Sequence, residues 1–245
     1  MISQPQPGGA FEIGGSDTMD EKSFIENVRS SFHGRRTVPA APLPLGSLHV
    51  RSDSAEMVEG FVRELEAVDG VVYRASSLEE ARARIQEIVA QRDIHSVVRA
   101  NTAFDRELEI DAALADSGVE VMVGDLRGVS TRERMRDAEF DADAGITSVD
   151  YGVAETGTLA VLARPGQGRA ISLLCPIHIA LLRSSCIVSD LSVLIERVIT
   201  EREELPSALT FITGPSRTAD IELVLTVGVH GPKELHVVLI EEGHG

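Results

Sequence analysis

Short aliphatic runs alternate with segments of helical spacing in the first half of the chain, and this alternation constrains the fold more than any other feature. Three apolar runs predict buried strands, at residues 70–73, 96–98 and 119–123. Helices are predicted at residues 56–65, 77–90 and 106–115. The second helix opens with a capping box formed by Ser77 and Glu80. Strands and helices that alternate in this way indicate a parallel sheet with right-handed crossover connections.

The spacing of the apolar runs changes in the second half of the chain. After a polar helix predicted at residues 131–140, four strands are predicted with only tight turns between them, at residues 146–149, 157–162, 170–175 and 177–182. A helix at residues 191–200 and two final strands follow. Because tight turns join antiparallel neighbours, this half predicts an antiparallel or mixed portion added to a mainly parallel α/β sheet.

The first 46 residues differ in composition from the rest of the chain. Residues 1–17 are rich in proline and glycine and are predicted to be a disordered tail. Residues 18–46 are predicted to form an N-terminal helix that ends near Gly34, followed by a proline-rich connector. The remainder, residues 47–242, is predicted to form a single α/β domain.

Charge and composition argue against several classes of protein. The formal net charge is −16, whereas nucleic-acid and anionic-lipid surfaces both require a basic binding face. Hydrophobic residues make up 43% of the chain but aromatic residues only 4%, so the core must be aliphatic. No apolar run approaches the length of a membrane span, and the N-terminus lacks the features of a signal peptide. The expected location is therefore the cytoplasm.

The two cysteines, Cys175 and Cys186, are too few for a disulfide scaffold or a four-thiolate iron–sulfur cluster. Any iron–sulfur chemistry must take most of its ligands from another chain. Cys175 and His178 lack the paired spacing of zinc ligands, so no metal site is expected. His178 and His236 lie within apolar runs, which places them in the core or at a sheet edge.

The segment that follows the run at residues 208–212 is the strongest candidate for ligand binding. It offers glycine, hydroxyl and guanidinium groups in one loop: Gly214, Ser216, Arg217 and Thr218. A second glycine-rich turn follows at residues 228–232. Backbone N–H groups, hydroxyls and a guanidinium that converge on one place suit an anion. The same loop also fits a capped helix start, with Ser216 or Thr218 as the N-cap and Asp220 as the partner of Arg217.

The second candidate is a turn centred on Glu155, which is followed by Thr156, Gly157 and Thr158. A carboxylate in this setting suits a general base, a nucleophile or an acceptor for a hydroxylated substrate. A hairpin turn whose threonines satisfy their own backbone is the alternative. His230, beside Gly231, is a further candidate for proton transfer, although a histidine in a turn is more often merely exposed.

Common nucleotide-binding fingerprints do not occur in the sequence. Residues 166–168 lack both the third glycine and the following helix of the dinucleotide motif. No phosphate-binding loop that ends in Gly-Lys-Ser/Thr occurs either. Tight binding of NAD, FAD or ATP through these motifs is therefore unsupported.

Four motifs together resemble the lactate-utilisation protein C family, whose unit is the LUD domain: Gly145-Ile146-Thr147, Gly152 to Thr158, Gly214 to Glu222 and Gly228 to Pro232. The resemblance covers roughly residues 45–242 and is strongest from residue 145 onward. It implies a three-layer α/β/α fold similar to that of coenzyme A transferases and ribose-5-phosphate isomerase. It also implies a bacterial cytoplasmic protein that is needed, with two iron–sulfur partner proteins, for the oxidation of L-lactate to pyruvate.

The resemblance favours a lactate-utilisation component that holds no cofactor itself and depends on iron–sulfur clusters in partner subunits. We expect a small anionic ligand between the Glu155 turn and the loop at Gly214, with Arg217 on its carboxylate or phosphate and with Glu155 or His230 handling a proton or hydroxyl. The remaining ligand-binding residues are expected to be Thr156, Gly157, Thr158, Ser216, Thr218, Asp220 and Gly231.

Two other functions stay open at this point. One is a stand-alone transferase or isomerase that acts on an acyl or sugar-phosphate substrate, by analogy of fold. The other is a non-catalytic assembly subunit that makes its contacts through the acidic surface and the N-terminal arm. The sequence leaves the question of homo-oligomers open.

Overall fold

The structure is a computed structural model that describes residues 54–115, 117–124, 141–202, 205–218, 226–227 and 231–241. The predicted tail, N-terminal helix and connector lie outside these residues, as does the helix predicted at residues 131–140. The division of the chain into those segments and a domain at residues 47–242 therefore stays a prediction.

Five α-helices and twelve strands are found within the described ranges. The helices are α1 (Ser54–Glu66), α2 (Leu78–Gln91), α3 (Ala103–Glu107), α4 (Ile110–Ala115) and α5 (Leu191–Thr200). The strands are β1 (Val71–Ala75), β2 (Ser96–Arg99), β3 (Glu120–Val123), β4 (Ala144–Ser148), β5 (Tyr151–Val153), β6 (Thr158–Leu162), β7 (Ile177–Arg183), β8 (Ile187–Val188), β9 (Leu209–Ile212), β10 (Arg217–Thr218), β11 (Thr226–Val227) and β12 (Glu234–Ile240). Short 3₁₀ helices occupy Arg169–Ser172 and Ser184–Cys186. None of these described helices combines the length and the apolar character that crossing a membrane requires.

Six strands form a parallel sheet in the order β1-β12-β7-β4-β2-β3. The longest strand pairing is that of β12 with β7, which runs along the whole of both strands, from Glu234 beside Ile177 to Ile240 beside Arg183. Strands β4, β7 and β12 are almost entirely buried, as expected for parallel strands that are covered on both faces.

Four strands form a separate mixed sheet in the order β8-β5-β6-β9. Strand β6 pairs antiparallel with β5 and β9, whereas β5 pairs parallel with β8. The predicted fold class, a mainly parallel α/β sheet with a mixed portion in the C-terminal half, is thus confirmed. The assignment of individual strands was partly wrong, because β4 and β7 belong to the parallel sheet although short turns surround them.

The core consists of aliphatic clusters between these layers. One face of the parallel sheet packs against α2 and α4, where Ile85, Ile88 and Leu114 contact strand residues such as Ile146 and Val238. The other face packs against α1 and the inner face of the mixed sheet, through Phe61, Leu65, Leu159, Val161 and Val237. Helix α5 covers the outer face of the mixed sheet with Leu194 and Val198.

Helix α2 shows how local sequence sets an element. Ser77 is its N-cap, and its hydroxyl accepts a hydrogen bond of 3.1 Å from the backbone nitrogen of Glu80. The Glu80 carboxylate accepts in return from the backbone nitrogen of Ser76, at 2.8 Å, rather than from that of Ser77. The predicted helix is confirmed. Its capping box differs from the predicted one, because the Glu80 carboxylate binds the backbone nitrogen of Ser76 instead of that of Ser77.

Two predicted elements are wrong in detail. The strand predicted at residues 170–175 is instead a 3₁₀ helix followed by turns. Ile171, in the 3₁₀ helix, and Cys175, in the turns after it, pack together with Val98 and Ala142, so this segment covers the sheet instead of extending it. The single helix predicted at residues 106–115 is two short helices, separated where Glu109 adopts a φ of 49°.

Candidate functional site

The predicted Glu155 turn joins β5 to β6, which pair antiparallel. Gly157 closes the turn with a φ of 63°, and a β-carbon added there would overlap the backbone of Leu65 near the end of α1. Glycine alone combines this conformation with such a close approach. The turn consequently holds Glu155 and Thr156 at the surface, where both side chains are exposed.

A row of threonine hydroxyls connects this turn to the predicted anion loop. The Thr158 Oγ1 lies 2.7 Å from the hydroxyl of Thr156 and 2.8 Å from the hydroxyl of Thr213. Thr213 follows β9 and directly precedes Gly214. The two motifs that the sequence analysis singled out therefore lie side by side.

The loop after β9 also contacts the second glycine-rich turn. Gly214 has a φ of 84° and packs so closely that an added β-carbon would lie 2.6 Å from the carbonyl oxygen of Val68. The backbone nitrogen of Ser216 donates a 2.8 Å hydrogen bond to the carbonyl of Pro232. An added β-carbon on Gly231 would lie 3.1 Å from that of Ser216. The two glycine-rich turns thus meet at Ser216.

The alternative interpretation of this loop, a capped helix start, does not hold at Arg217 and Thr218. These residues form β10, which pairs antiparallel with β11. The Arg217 guanidinium forms an ion pair with Asp69. Asp220 and His230 lie outside the described residues, so their predicted roles stay predictions.

We call Thr156, Thr158, Thr213, Ser216 and Arg217 the threonine–arginine surface. It lies near the amino-terminal edge of the parallel sheet, because Asp69 comes just before β1 and Pro232 just before β12. The Arg217 side chain is 41% exposed and that of Asp69 is 72% exposed. Ion pairs with this exposure contribute at most about 1 kcal/mol, so a bound anion can compete with Asp69 for the guanidinium.

A buried polar network that the sequence analysis missed lies at the opposite, carboxyl-terminal edge of the parallel sheet. Asp105 is fully buried, and its carboxylate accepts hydrogen bonds from the backbone nitrogen of Thr102 at 2.7 Å and from the hydroxyl of Ser148 at 2.6 Å. The hydroxyls of Thr102 and Ser148 lie 2.9 Å apart. Because the single proton of Ser148 is donated to Asp105, the Thr102 hydroxyl must donate to Ser148.

This network, which we call the switch-point network, joins the ends of two neighbouring strands whose connections diverge. Strand β2 pairs with β4. The chain leaves β2 through α3 and α4 toward the sheet edge at β3, whereas it leaves β4 through the mixed sheet toward β7 on the other side. Open α/β sheets bind ligands at the carboxyl ends of strands where connections diverge in this way.

Part of the missed network had a local signal in the sequence. Thr102 and Asp105 have the spacing of a capping box, and both of its hydrogen bonds are formed at the start of α3. No local signal indicates Ser148, since only the pairing of β4 with β2 places it beside Asp105.

The carboxylate of Asp150, which follows β4, is also buried. It accepts a 2.8 Å hydrogen bond from the backbone nitrogen of Leu162 and pairs with Arg164 Nη2 at 2.9 Å. Burial raises the pKa of the Asp150 carboxyl, and the positive charge of Arg164 opposes this shift.

The two histidines of the apolar runs are buried, as predicted. The Nε2 of His178 lies 2.8 Å from the hydroxyl of Thr147, and burial lowers the pKa of His178 to about 4. The Nε2 of His236 lies 2.8 Å from a carboxylate oxygen of Glu234, and burial lowers its pKa as well. Cys175 is buried and Cys186 is partly buried. Across the described ranges, no group of three or more acidic, histidine or cysteine side chains is arranged to hold a metal ion.

The fold defines an α/β protein in which a six-stranded parallel sheet is combined with a mixed sheet. Residues 58–240 match the family model of the LUD domain, and the chain belongs to this family. The resemblance noted in the sequence is therefore confirmed.

Curated relatives carry the names of lactate-utilisation proteins. The chain is 41% identical to lactate utilization protein C of Halalkalibacterium halodurans over 113 residues, which cover 45% of this chain and 49% of that protein. It is 34% identical to the protein of the same name from Anoxybacillus flavithermus, over 66% of this chain and 71% of that protein. It is also 25% identical to lactate utilization protein B of Shouchella clausii, over 79% and 51% of the two chains.

For several of these relatives, including the H. halodurans protein, the matched region spans about half of their length. A solved structure of a DUF162 family protein from Deinococcus radiodurans is similar to this chain with a TM-score of 0.55 and 24% sequence identity. The likeness covers 77% of this chain and 98% of that structure, and it supports the fold.

Proposed function

We propose that the chain acts in lactate utilisation, as a component that supports the oxidation of L-lactate to pyruvate together with iron–sulfur partner subunits. Membership of the LUD domain family and relatives named lactate utilization protein C and B support this role. The chain contains only two cysteines, so the proposal assigns the iron–sulfur clusters to partner proteins in the cytoplasm.

Within this role, the threonine–arginine surface binds a small anion. The observation that carries this proposal is the hydrogen bond between Thr158 and Thr213, because it brings the Glu155 turn beside the loop at Gly214. The exposed hydroxyls of Thr156 and Thr213 and the exposed Arg217 guanidinium can donate to a carboxylate or phosphate, with the buried Thr158 hydroxyl joining the two threonines. The anion displaces Asp69 from Arg217 and accepts hydrogen bonds from Ser216 and the threonines.

Glu155, next to the threonine–arginine surface, can accept a proton or a ligand hydroxyl. It is exposed at the turn beside Thr156, so a ligand can reach it without rearrangement of the core. Three glycines let the backbone segments of the site pack closely together. They are Gly157, Gly214 and Gly231, which pack against Leu65, Val68 and Ser216 respectively.

The proposed function is tested by growth on L-lactate of a bacterial strain that lacks its own copy of the gene. The full chain is expected to restore growth, and Arg217→Ala to restore less than a tenth of it while the purified variant keeps its circular dichroism spectrum. Arg84→Ala is the matched control, because Arg84 is an ion-paired arginine of similar exposure on α2, far from the proposed surface. Equal growth with Arg217→Ala and Arg84→Ala would remove the threonine–arginine surface from the proposal.

The proposed partners require a second measurement. Native mass spectrometry of the full chain, alone and mixed with iron–sulfur lactate-utilisation subunits, is expected to show a stoichiometric complex. Turnover of an acyl or sugar-phosphate substrate by the chain alone, without such a complex, would instead favour the transferase or isomerase interpretation.

A further inference from the structure

A tight turn beside the carboxyl end of β4 holds two buried polar atoms that make no hydrogen bond. Arg164 and Gln167 exchange backbone hydrogen bonds across the turn, and Gly166 between them has a φ of 81°. Residues that face each other in an antiparallel bridge project their side chains to the same side. The Nε of Arg164 and the Oε1 of Gln167 are both buried without a hydrogen-bond partner.

The other polar atoms of these two side chains are fixed on the segment that leaves β4. The Nε2 of Gln167 donates to the carbonyl of Ser148 at 3.0 Å, and the Nη2 of Arg164 binds Asp150 at 2.9 Å. Because the amide nitrogen must face that carbonyl, Oε1 is necessarily the unpaired atom. Ser148 and Asp150 are two residues apart, so an unpaired donor and an unpaired acceptor flank the same short segment next to the switch-point network.

Two guanidinium groups give this place a positive charge. Besides Arg164, the Nη2 of Arg202 lies 3.8 Å from the Asp150 carboxylate, so two cations share one buried anion. The Arg164 and Arg202 side chains are 36% and 35% exposed, whereas Gln167 is 1% exposed. Because Nε of Arg164 is as buried as Oε1 of Gln167, a ligand meets the outer guanidinium nitrogens first and reaches these two atoms only when the turn opens.

We propose that this place binds a small 2-hydroxy acid. Its carboxylate accepts hydrogen bonds from Arg164 and Arg202, and its hydroxyl donates to Oε1 of Gln167. An unpaired buried donor or acceptor costs about 1–3 kcal/mol, and a hydroxy acid supplies both missing partners at once. A carboxylate without a hydroxyl would leave Gln167 unpaired.

This second site, which we call the hydroxy-acid site, is separate from the threonine–arginine surface, because it lies at the opposite edge of the parallel sheet. Its identification with lactate among the 2-hydroxy acids rests on the proposed function. The residues of the site and the class of ligand rest on the contacts of Arg164, Gln167 and Arg202 alone.

Isothermal titration calorimetry of the full chain with L-lactate and with propionate, which lacks the hydroxyl, tests the inference. The chain is expected to bind lactate roughly tenfold more tightly than propionate. Gln167→Met should reduce lactate affinity to that of propionate and leave propionate binding unchanged. Arg202→Ala should weaken both acids, whereas Arg74→Ala, which removes an ion-paired arginine on β1, should weaken neither.

Three results would overturn the inference: no lactate binding by the wild-type chain, equal binding of the two acids, or an unchanged preference in Gln167→Met. If Gln167→Met does not fold, Arg164→Lys tests the site through the carboxylate: lysine keeps the charge but removes Nε, so both acids should bind more weakly, and unchanged binding would overturn the inference. Failure of the proposed function gives a different result, because the growth of the bacterial strain on L-lactate would then not depend on the chain. Loss of lactate binding in Arg217→Ala but not in Gln167→Met would keep the proposed function and discard the hydroxy-acid site.

Discussion

The hydroxyl of Ser148 donates a 2.6 Å hydrogen bond to the carboxylate of Asp105, a residue 43 positions earlier in the chain. This bond and the one between the hydroxyls of Thr102 and Ser148 hold the start of α3 against the carboxyl end of β4, whereas the bond from the Thr102 backbone nitrogen to Asp105 caps α3 itself. The buried carboxylate of Asp105 thus couples helix α3 to the carboxyl end of β4 at the switch point.

Replacement of Asp105 by alanine should therefore destabilise the protein. The change leaves the backbone nitrogen of Thr102 and the hydroxyl of Ser148 buried without their acceptor, at a cost of about 3 kcal/mol. Urea denaturation of the purified chain measures this loss as a lower midpoint. Glu66→Ala, which removes an exposed carboxylate at the end of α1, should change the free energy of unfolding by less than about 0.5 kcal/mol. Similar losses in the two variants would contradict the coupling.

Replacement of Gly157 by alanine tests the packing of the Glu155 turn, with Gly118, a glycine elsewhere in the chain, as the matched control. Both have a positive φ, of 63° and 68°, but an added β-carbon overlaps the backbone of Leu65 at Gly157 and meets nothing within 4 Å at Gly118. Gly118→Ala should cost about 1 kcal/mol for its conformation alone. Gly157→Ala should cost roughly 3 kcal/mol or more, since strain from overpacking adds to the same conformational penalty. Thermal denaturation checks both, and equal costs would show that the turn does not pack on α1 as described.

Acid should destabilise the protein through His178. Its pKa is about 4 in the folded protein, because burial disfavours the imidazolium, whereas an unfolded histidine titrates near 6.5. Between these values the unfolded chain binds more protons, so the free energy of unfolding falls as the pH falls. From about pH 7 to pH 5 the contribution of His178 is a loss of ~2 kcal/mol.

A double variant isolates this contribution of His178. Thr147→Val with His178→Leu removes the titrating ring together with its hydrogen-bond partner. Denaturant titrations at several pH values should give a shallower pH dependence for this variant than for the wild-type chain. A double variant with the wild-type slope would refute the assignment.

Asp69→Asn should strengthen anion binding at the threonine–arginine surface. The substitution removes the carboxylate that occupies the Arg217 guanidinium, and asparagine tolerates the φ of 65° found at this position. Exposed ion pairs contribute about 0.2–1 kcal/mol, so the affinity for inorganic phosphate at this surface should rise roughly two- to fivefold. Calorimetric titration checks the change, with Asp93→Asn as a control at another exposed aspartate of positive φ. Unchanged affinity would mean that Asp69 does not compete with the ligand.

Patterns of local spacing predicted the class of fold and most of its elements. The helix at Leu191–Thr200 and the strand at Ile177–Arg183 follow from apolar runs that end at clear turn or capping residues. The same patterns failed at Arg169–Ser172, where an apolar run packs as a 3₁₀ helix over the sheet. A short apolar run indicates that a segment is buried, but it does not indicate whether the segment forms a strand or a helix.

Contacts between distant segments were less accessible to sequence reasoning. Arg217 forms an ion pair with Asp69, from the segment before β1, and no local pattern in the sequence indicates this pair. The proximity of Ser148 to Asp105 likewise depends on the order β4-β2 in the sheet. Strand order is fixed by long-range packing, so a site assembled from several strand ends has no signature in any one of them.

The position of β12 has a consequence for synthesis of the protein. This strand, the last of the sheet along the chain, lies between β1 and β7 and is the only described neighbour of β1. While a ribosome is still adding residues before Glu234, β1 has no strand to pair with and the sheet has a gap. The domain must therefore close after β12 has left the exit tunnel, and until then the edges of β1 and β7 are open to chaperones or to other nascent chains.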